Sequence, residues 1–470
     1  MPPSKNRSPY GYEPKNIWEE SSKEQVAEIF AAAELYKSFS NEVRTERQAV
    51  SWVQNYAQNN GFKALETFSE LKPGDKVFFS YENKNMFLAI IGSEPIKNGV
   101  NIIGAHLDAP RLDLKVRPLI EEFGIAMLKT HYYGGIKKYQ WLNIPLAIHG
   151  TVIRGDGTSI EISIGDEEND PVFVISDLLP HLSRKIQGEK KLLDGIEAEN
   201  LNLFVGSMPI QNEEFTEKVK AWILQELYQQ FGIVEEDLIS AELEVVPAFR
   251  TRDLGLDRSM IAGYAHDDRV CSFAAIEALT QIQDIPSRTS IVYLTDKEEI
   301  GSVGITGTAS PALPLFIGEI FLKQQIHYSD LDLRRAFKDS CCLSADVGAL
   351  LNPMYATVHD KYNASFLNCG IIIKKYTGSG GKYAGSDASA ELVAKIRKIF
   401  NDNGVLWQAS SMGKVDEGGG GTIAHLIARF GIPVIDCGIG VIGMHSPYEI
   451  ISKADLFHMI KGYRSFFENA

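Results

Sequence analysis

The chain has 470 residues and a formal net charge of −14 with a pI near 5.3, a balance with no basic face for nucleic acid or an acidic membrane surface. Its length exceeds one ordinary core, so two domains, or one large domain with an insertion, are expected. Cys271, Cys341, Cys342, Cys369 and Cys437 follow no spaced framework and read as core thiols of a reducing compartment. With no apolar leader core among residues 1–20 and no run of bilayer length, the expected location is the cytoplasm.

After a polar start, apolar spacing predicts helices over Ser22–Ser38 and Glu42–Asn59. Lys76–Tyr81 and Met86–Ile91 flank the turn signal ENKN and form a predicted hairpin, and Gly99–Gly104 leads as a strand into GAHLDAPRLDLK. From Leu114 to Val246 the texture changes: alternating segments Ala147–Ile153 and Ser159–Ile164 flank GDGT, and the helical run Asn212–Phe231 follows. Residues 114–246 are therefore expected to be an inserted β-rich domain, with 1–113 and 247–470 forming the main one. A strand near Phe249, a helix from about Asp268, strands at Ser290–Leu294 and CLSADVG, and alternating strands and helices to Phe467 complete the pattern. Such alternation implies an α/β fold, a mostly parallel sheet with helices on both faces.

Chemistry gathers where these strands stop, as it does in open α/β sheets. Ser290–Leu294 runs directly into Asp296, Glu298 and Glu299, and His106, Asp267, Asp346 and His445 likewise follow predicted strands. Adjacent carboxylates repel unless a cation separates their roles, which a divalent ion does by taking Glu299 and leaving Glu298 as a general base. Two imidazoles and three carboxylates suit a pair of zinc-like ions. If Asp267 bridges both, His106 with Asp346 serves one and Glu299 with His445 the other. Asp108, two residues beyond His106, could hold the imidazole's other nitrogen. Nitrogen and oxygen donors also accept cobalt or manganese.

The segments GAHLDAPRLDLK, HDDR, DKEEIGS, SADVG and GMHSPYE occur in the order and spacing of the aspartyl aminopeptidase family, which the chain resembles over most of its length, insertion included. The resemblance implies a dinuclear-zinc exopeptidase whose catalytic domain is interrupted by a β-rich dimerisation domain, with protomers assembled into a dodecamer. It places the metal ligands on His106, Asp267, Glu299, Asp346 and His445, the general base on Glu298 and an orienting acid on Asp108. It also implies that His181, in SDLLPHLSRK, enters a neighbouring subunit's site, and that Lys374 faces an acidic substrate side chain.

The chain departs from the family at Ala349 and Asn352, where many relatives carry histidines, and at His266, Asp267 and Asp268 in place of LDN. The stretch TGSGGKYAG is no phosphate loop, because Tyr383 follows Lys382 and Tyr376 stands where the first glycine belongs. EGGGGTIAHLIARFG is expected to be a tight turn opening a helix. The expected reaction is removal of the N-terminal residue from peptides by water activated between two metals. A carboxypeptidase, deacetylase or dipeptidase could use the same ions, and an assembly protein could keep the fold without catalysis. Retention of Glu298 beside a full ligand set weighs for an enzyme.

Overall fold

The computed structural model describes residues 10–212 and 214–470, so the first nine residues of the polar N-terminal stretch, and Glu213 at the start of the predicted helical run, lie outside the described residues. The main sheet has nine strands in the order Lys63–Ala64, Lys76–Tyr81, Asn85–Ile90, Ser290–Thr295, Asn101–His106, Cys341–Ser344, Val434–Gly438, Ile371–Lys374 and Trp407–Ala409. The four strands from Ser290–Thr295 to Val434–Gly438 are mutually parallel, with Thr295 opposite His106 and Ser344 opposite Gly104. Their C-terminal ends therefore open onto one edge.

Period-two alternation divides these strands between two cores. Met86, Leu88, Ile103, Val292, Leu294 and Ile435 face one side, packed by Tyr36, Phe39, Phe273, Ile276, Phe400, Tyr463 and Phe466. Phe87, Ala89, Ile102, Ile291 and Tyr293 face the other, under Leu313, Phe316, Ile317, Phe337 and Ile427. Helices Lys23–Glu42 and Glu46–Asn59 begin with capping boxes, Ser22 with Gln25 and Thr45 with Gln48, which satisfy the backbone donors of their first turns. The helix His266–Thr280 is buried along nearly its whole length, so it lies in the interior and not on an amphipathic surface.

A second, wholly antiparallel sheet of six strands runs Ser159–Ile164, Leu146–Ile153, Ala241–Pro247, Arg111–Glu122, Ile125–Tyr133, Asn202–Gly206. It has its own core, including Leu112, Leu128, Trp141, Ile148, Leu203 and Val245. A small sheet of Arg252–Leu254, Met260–Gly263 and Glu449–Ser452 and the helices Ala312–Lys323 and Asp330–Asp339 have no counterpart in the sequence reading. All five cysteines are buried and unpaired. Among the described residues no helix is long and apolar enough to cross a membrane.

Candidate metal centre

The shared edge of the parallel strands carries the chemistry. His106 ends its strand, Glu298 and Glu299 occupy the turn after Thr295, Asp346 follows Ser344 by two residues, and Asp267 lies in the first turn of the buried helix. His445 arrives from the turn before Glu449–Ser452. Three of these turns contain a non-glycine residue in the left-handed region: Ala265 (φ 61°), Lys297 (φ 68°) and His445 itself (φ 63°). Such backbone is held only where surrounding contacts over-determine it, and it concentrates at functional sites.

Potential ligand atoms fall into three overlapping groups, each within 4.8 Å: His106, Asp267 and Asp346; Asp267, Glu299 and His445; and His106, Glu298 and Glu299. Asp267 is common to the first two. The His445 Nε2 atom is 3.0 Å from Asp267 Oδ2 and 3.2 Å from Glu299 Oε1. Both imidazoles commit Nδ1 to a backbone carbonyl, His106 to Asp108 at 3.1 Å and His445 to Gly135 at 3.1 Å. That fixes the tautomer and leaves Nε2 for a metal.

The carboxylate of Asp108 is placed differently from the sequence expectation. Its nearer oxygen is 3.6 Å from His106 Nδ1, and it accepts instead from the backbone N–H of Glu298 (3.0 Å), from that of Glu299 (3.2 Å) and from the Tyr133 hydroxyl (2.8 Å). Asp108 thus braces the Glu298–Glu299 turn. Asp296 turns away, accepting from Lys297 Nζ at 2.7 Å and Thr306 Oγ1 at 2.6 Å.

Electrostatics match a site built around cations. Burial, reinforced by Asp346, Glu299 and Asp108 against the pull of His106, drives the Glu298 carboxyl well above its usual range. Burial also raises Glu299, against the opposing pull of His445, and raises Asp346 to about 6 against the pull of Lys374. Burial lowers the proton affinity of His445, but Asp267 and Glu299 outweigh it and push the ring up to about 12. Crowded acids whose charges lack compensation, two imidazoles aimed inward and a nitrogen–oxygen donor set are what divalent zinc-type ions require, so the residues present fit such ions.

Asp268 is fully buried, both carboxylate oxygens lack a hydrogen-bond partner, and burial, then Glu299 and Asp267, hold it well above the usual carboxylate range. It does not line the cavity over the cluster, a space of about 670 Å³ bordered by His106, Asp267, Glu298, Glu299, Asp346 and His445. Lys374 does line it; the side chain is buried and its Nζ donates to Val347 O at 2.8 Å. His181 does not: it is exposed on the one-turn helix Pro180–Ser183. The glycines expected to open a helix instead form a ribbon at the cavity, Gly378–Ser379 pairing with Gly419–Gly420, before the short helix Ala424–Ile427.

Two contributors escaped the sequence reading. Glu449 accepts from the backbone N–H of Asp267 at 2.9 Å and of His445 at 2.6 Å, tying two candidate ligands together; its only local signal is an acid four residues after a histidine. Tyr133 comes from the second sheet, and no local pattern marks it.

Two histidines and several carboxylates gathered within ligand distance at the carboxyl edge of a doubly covered sheet are the donor set of a metal-dependent hydrolase. Residues 39–467 match the family described as "Aminopeptidase I zinc metalloprotease (M18)". The chain is 47% identical over 455 residues to a "Probable M18 family aminopeptidase 1" of Borrelia garinii, covering 97% of this chain and 99% of that protein. It is 44% identical to the Clostridium acetobutylicum protein of the same description, with coverage of 97% and 98%. A crystal structure of the M18 aminopeptidase from Thermotoga maritima superposes with a TM-score of 0.94 at 44% identity, covering 98% of this chain and all of that one. A structure of the S. cerevisiae mApe1 dodecamer, 23% identical, covers 94% of this chain and 97% of that one and shares the fold with a TM-score of 0.74. The chain belongs to the M18 family of metal-dependent aminopeptidases.

Proposed function

We propose that the enzyme releases single residues from peptides with a free N-terminus at a site holding two divalent ions, zinc by preference, with cobalt or manganese as substitutes. In this reading His106 and Asp346 hold one ion, Glu299 and His445 the other, and Asp267 both. The observation that carries it is the pair of ligand-atom groups that share Asp267. When bound, such ions supply Lewis acidity at the scissile carbonyl and lower the pKa of water. Glu298 takes the proton of the attacking water on its carboxylate and returns it to the leaving amine; its raised proton affinity suits both halves of that task. Asp108 keeps Glu298 in place through the backbone N–H at 3.0 Å.

For the residue released, the reading follows the aspartyl branch of the family, with Lys374 meeting an acidic side chain in the cavity. The lysine has spent one N–H on Val347, which leaves two donors free, although it already faces Asp346 and Asp436. His181, being exposed, would act in a neighbouring subunit of a homo-oligomer, a dodecamer as in the yeast relative. Residues 114–246 would supply the dimerisation domain. The test is elemental analysis coupled to a panel of aminoacyl reporters covering every standard amino acid, run before and after chelation and metal restoration. Turnover that is strongest on acidic reporters, lost with the metal and regained with it, is expected. Turnover that survives full chelation would overturn the metal reading, and a flat profile across side chains would overturn the acidic one.

A further inference from the structure

The second sheet reaches into the metal centre through the end of the strand Ile125–Tyr133 and the two glycines after it. The Tyr133 hydroxyl donates to Asp108 Oδ2 at 2.8 Å. The Arg111 guanidinium lies 3.9 Å from the centre of the same ring and is itself anchored to Asp113 at 2.8 Å and Glu244 at 3.2 Å. Gly134, at φ +72°, passes so close to Glu299 that an added Cβ would lie 3.1 Å from Oε2 and 3.3 Å from the glutamate's own Cβ. An added Cβ on Gly135 would lie 3.2 Å from His445 Nδ1, and the Gly135 carbonyl accepts from that nitrogen at 3.1 Å.

We propose that Tyr133, Gly134 and Gly135 form a clasp, extended from the second sheet, that positions the metal centre. Tyr133 fixes Asp108 and through it the Glu298–Glu299 turn; Gly134 is the surface against which Glu299 rests; the Gly135 carbonyl sets the tautomer and aim of His445. None of the three is a catalytic residue. Each acts through a group the site needs, as outer-sphere partners of metal ligands do. The inference rests on the assignment of Glu299 and His445 as ligands. Its physical content is that one half of the metal centre is shaped by the main sheet and locked by the other, so the junction between the sheets controls how tightly one ion is held. At residue 134 the left-handed backbone strains any side chain and an added Cβ would press on Glu299, and at residue 135 it would push the His445 imidazole aside by a few tenths of an ångström.

The test uses the full chain, stripped with a chelator and reloaded with Co2+. The dissociation constants are read by chelator competition, the coordination from the visible cobalt bands, and folding from the thermal midpoint of the metal-free protein. Gly134→Ala and Gly135→Ala are compared with Gly124→Ala, which carries the same kind of strain (φ +77°) in the turn opening the same strand but has nothing within 4 Å of the added methyl. The expected result is that Gly134→Ala and Gly135→Ala weaken one of the two cobalt sites roughly 10- to 100-fold and shift its bands, while Gly124→Ala matches the wild type. Tyr133→Phe, which keeps the ring over Arg111, should keep both sites and lower kcat roughly tenfold, with KM little changed, through loss of one hydrogen bond to a buried carboxylate. Wild-type affinity and spectrum in both glycine variants, or an equal loss in Gly124→Ala, would overturn the clasp. If the wild type itself takes up fewer than two ions, the ligand assignment fails first and the clasp with it.

Discussion

Asp108→Asn is the substitution whose effect can be worked out atom by atom. The carboxylate is completely buried and, although burial opposes its charge, His106, Tyr133 and Arg111 keep it below the usual carboxylate range. Asn replaces one accepting oxygen with an NH2 group. Placing Oδ1 toward the Glu298 N–H, now 3.0 Å away, keeps that bond. The new NH2 then faces Tyr133, whose hydroxyl can rotate to accept, and the Glu299 N–H, now 3.2 Å from the carboxylate, which cannot. One part-buried backbone donor is left without an acceptor, a cost of about 1–3 kcal/mol. Taken at about 2 kcal/mol and realised in the transition state, this lowers kcat roughly 30-fold. Steady-state kinetics should show that loss with both metals present by elemental analysis of the same sample. A kcat within twofold of wild type at full metal content would refute the claim that Asp108 sets the Glu298–Glu299 turn.

Glu298→Gln should lower kcat by about 10²–10⁴-fold, the range for a general base, with metal content unchanged; a parallel loss of metal would make Glu298 a ligand, which its grouping with His106 and Glu299 also permits. Glu449→Gln can satisfy only one of the Asp267 and His445 N–H groups, so the metal dissociation constant should rise roughly tenfold; an unchanged constant by chelator competition would remove Glu449 from the site. His458 is a handle outside the candidate ligand groups: it accepts the Leu406 N–H at 3.0 Å, and burial, with Lys461, lowers it from 6.5 to about 4. The fold therefore needs the neutral ring, so its contribution is complete above pH 6.5 and lost as pH falls toward 4, at up to about 1.4 kcal/mol per unit. Denaturant melts of the chelated protein at pH 7 and 4.5 should show a smaller acid loss in His458→Gln, and equal losses would assign the acid sensitivity elsewhere.

The candidate ligands were legible because the chain changes character abruptly where they occur. His106, Glu299 and Asp346 each follow a buried apolar run, and burial on both faces leaves such strands no other place for charge. The mostly parallel character of the sheet was legible for the same reason. What the chain hid was the outer layer. Tyr133 meets Asp108 across 25 positions and Gly135 meets His445 across 310, and neither Tyr-Gly-Gly nor a lone glutamate carries a period or spacing of its own. Asp108 was expected to hold the other nitrogen of His106 with its carboxylate, but its backbone carbonyl does so: residues alternate along an extended segment, so spacing places 106 and 108 on one side but cannot tell a carbonyl from a carboxylate as the acceptor. The helix Ala312–Lys323 was missed because it is apolar nearly all round, whereas the S-x-x-D of Ser329 and Asp332 that caps the next helix was present to be read.

Burial of this many acids also makes a statement about stability. Glu298, Glu299 and Asp346 all have their proton affinity raised, chiefly by burial and then by neighbouring acids, Asp346, Glu299 and Asp108 acting on Glu298 and Asp267 on the other two, so the folded chain without cations carries a repulsion the unfolded chain lacks. Ions that bind only the folded state relieve it, and by mass action contribute about 2.7 kcal/mol at a free concentration one hundred times the dissociation constant. The thermal midpoint must then climb with free Zn2+ and fall on chelation, and the climb must be reduced in His445→Ala, which deletes one ligand while leaving the acids in place. A midpoint indifferent to zinc would mean that the cluster tolerates its own charge unaided, and the argument from crowded carboxylates to a metal would have no force.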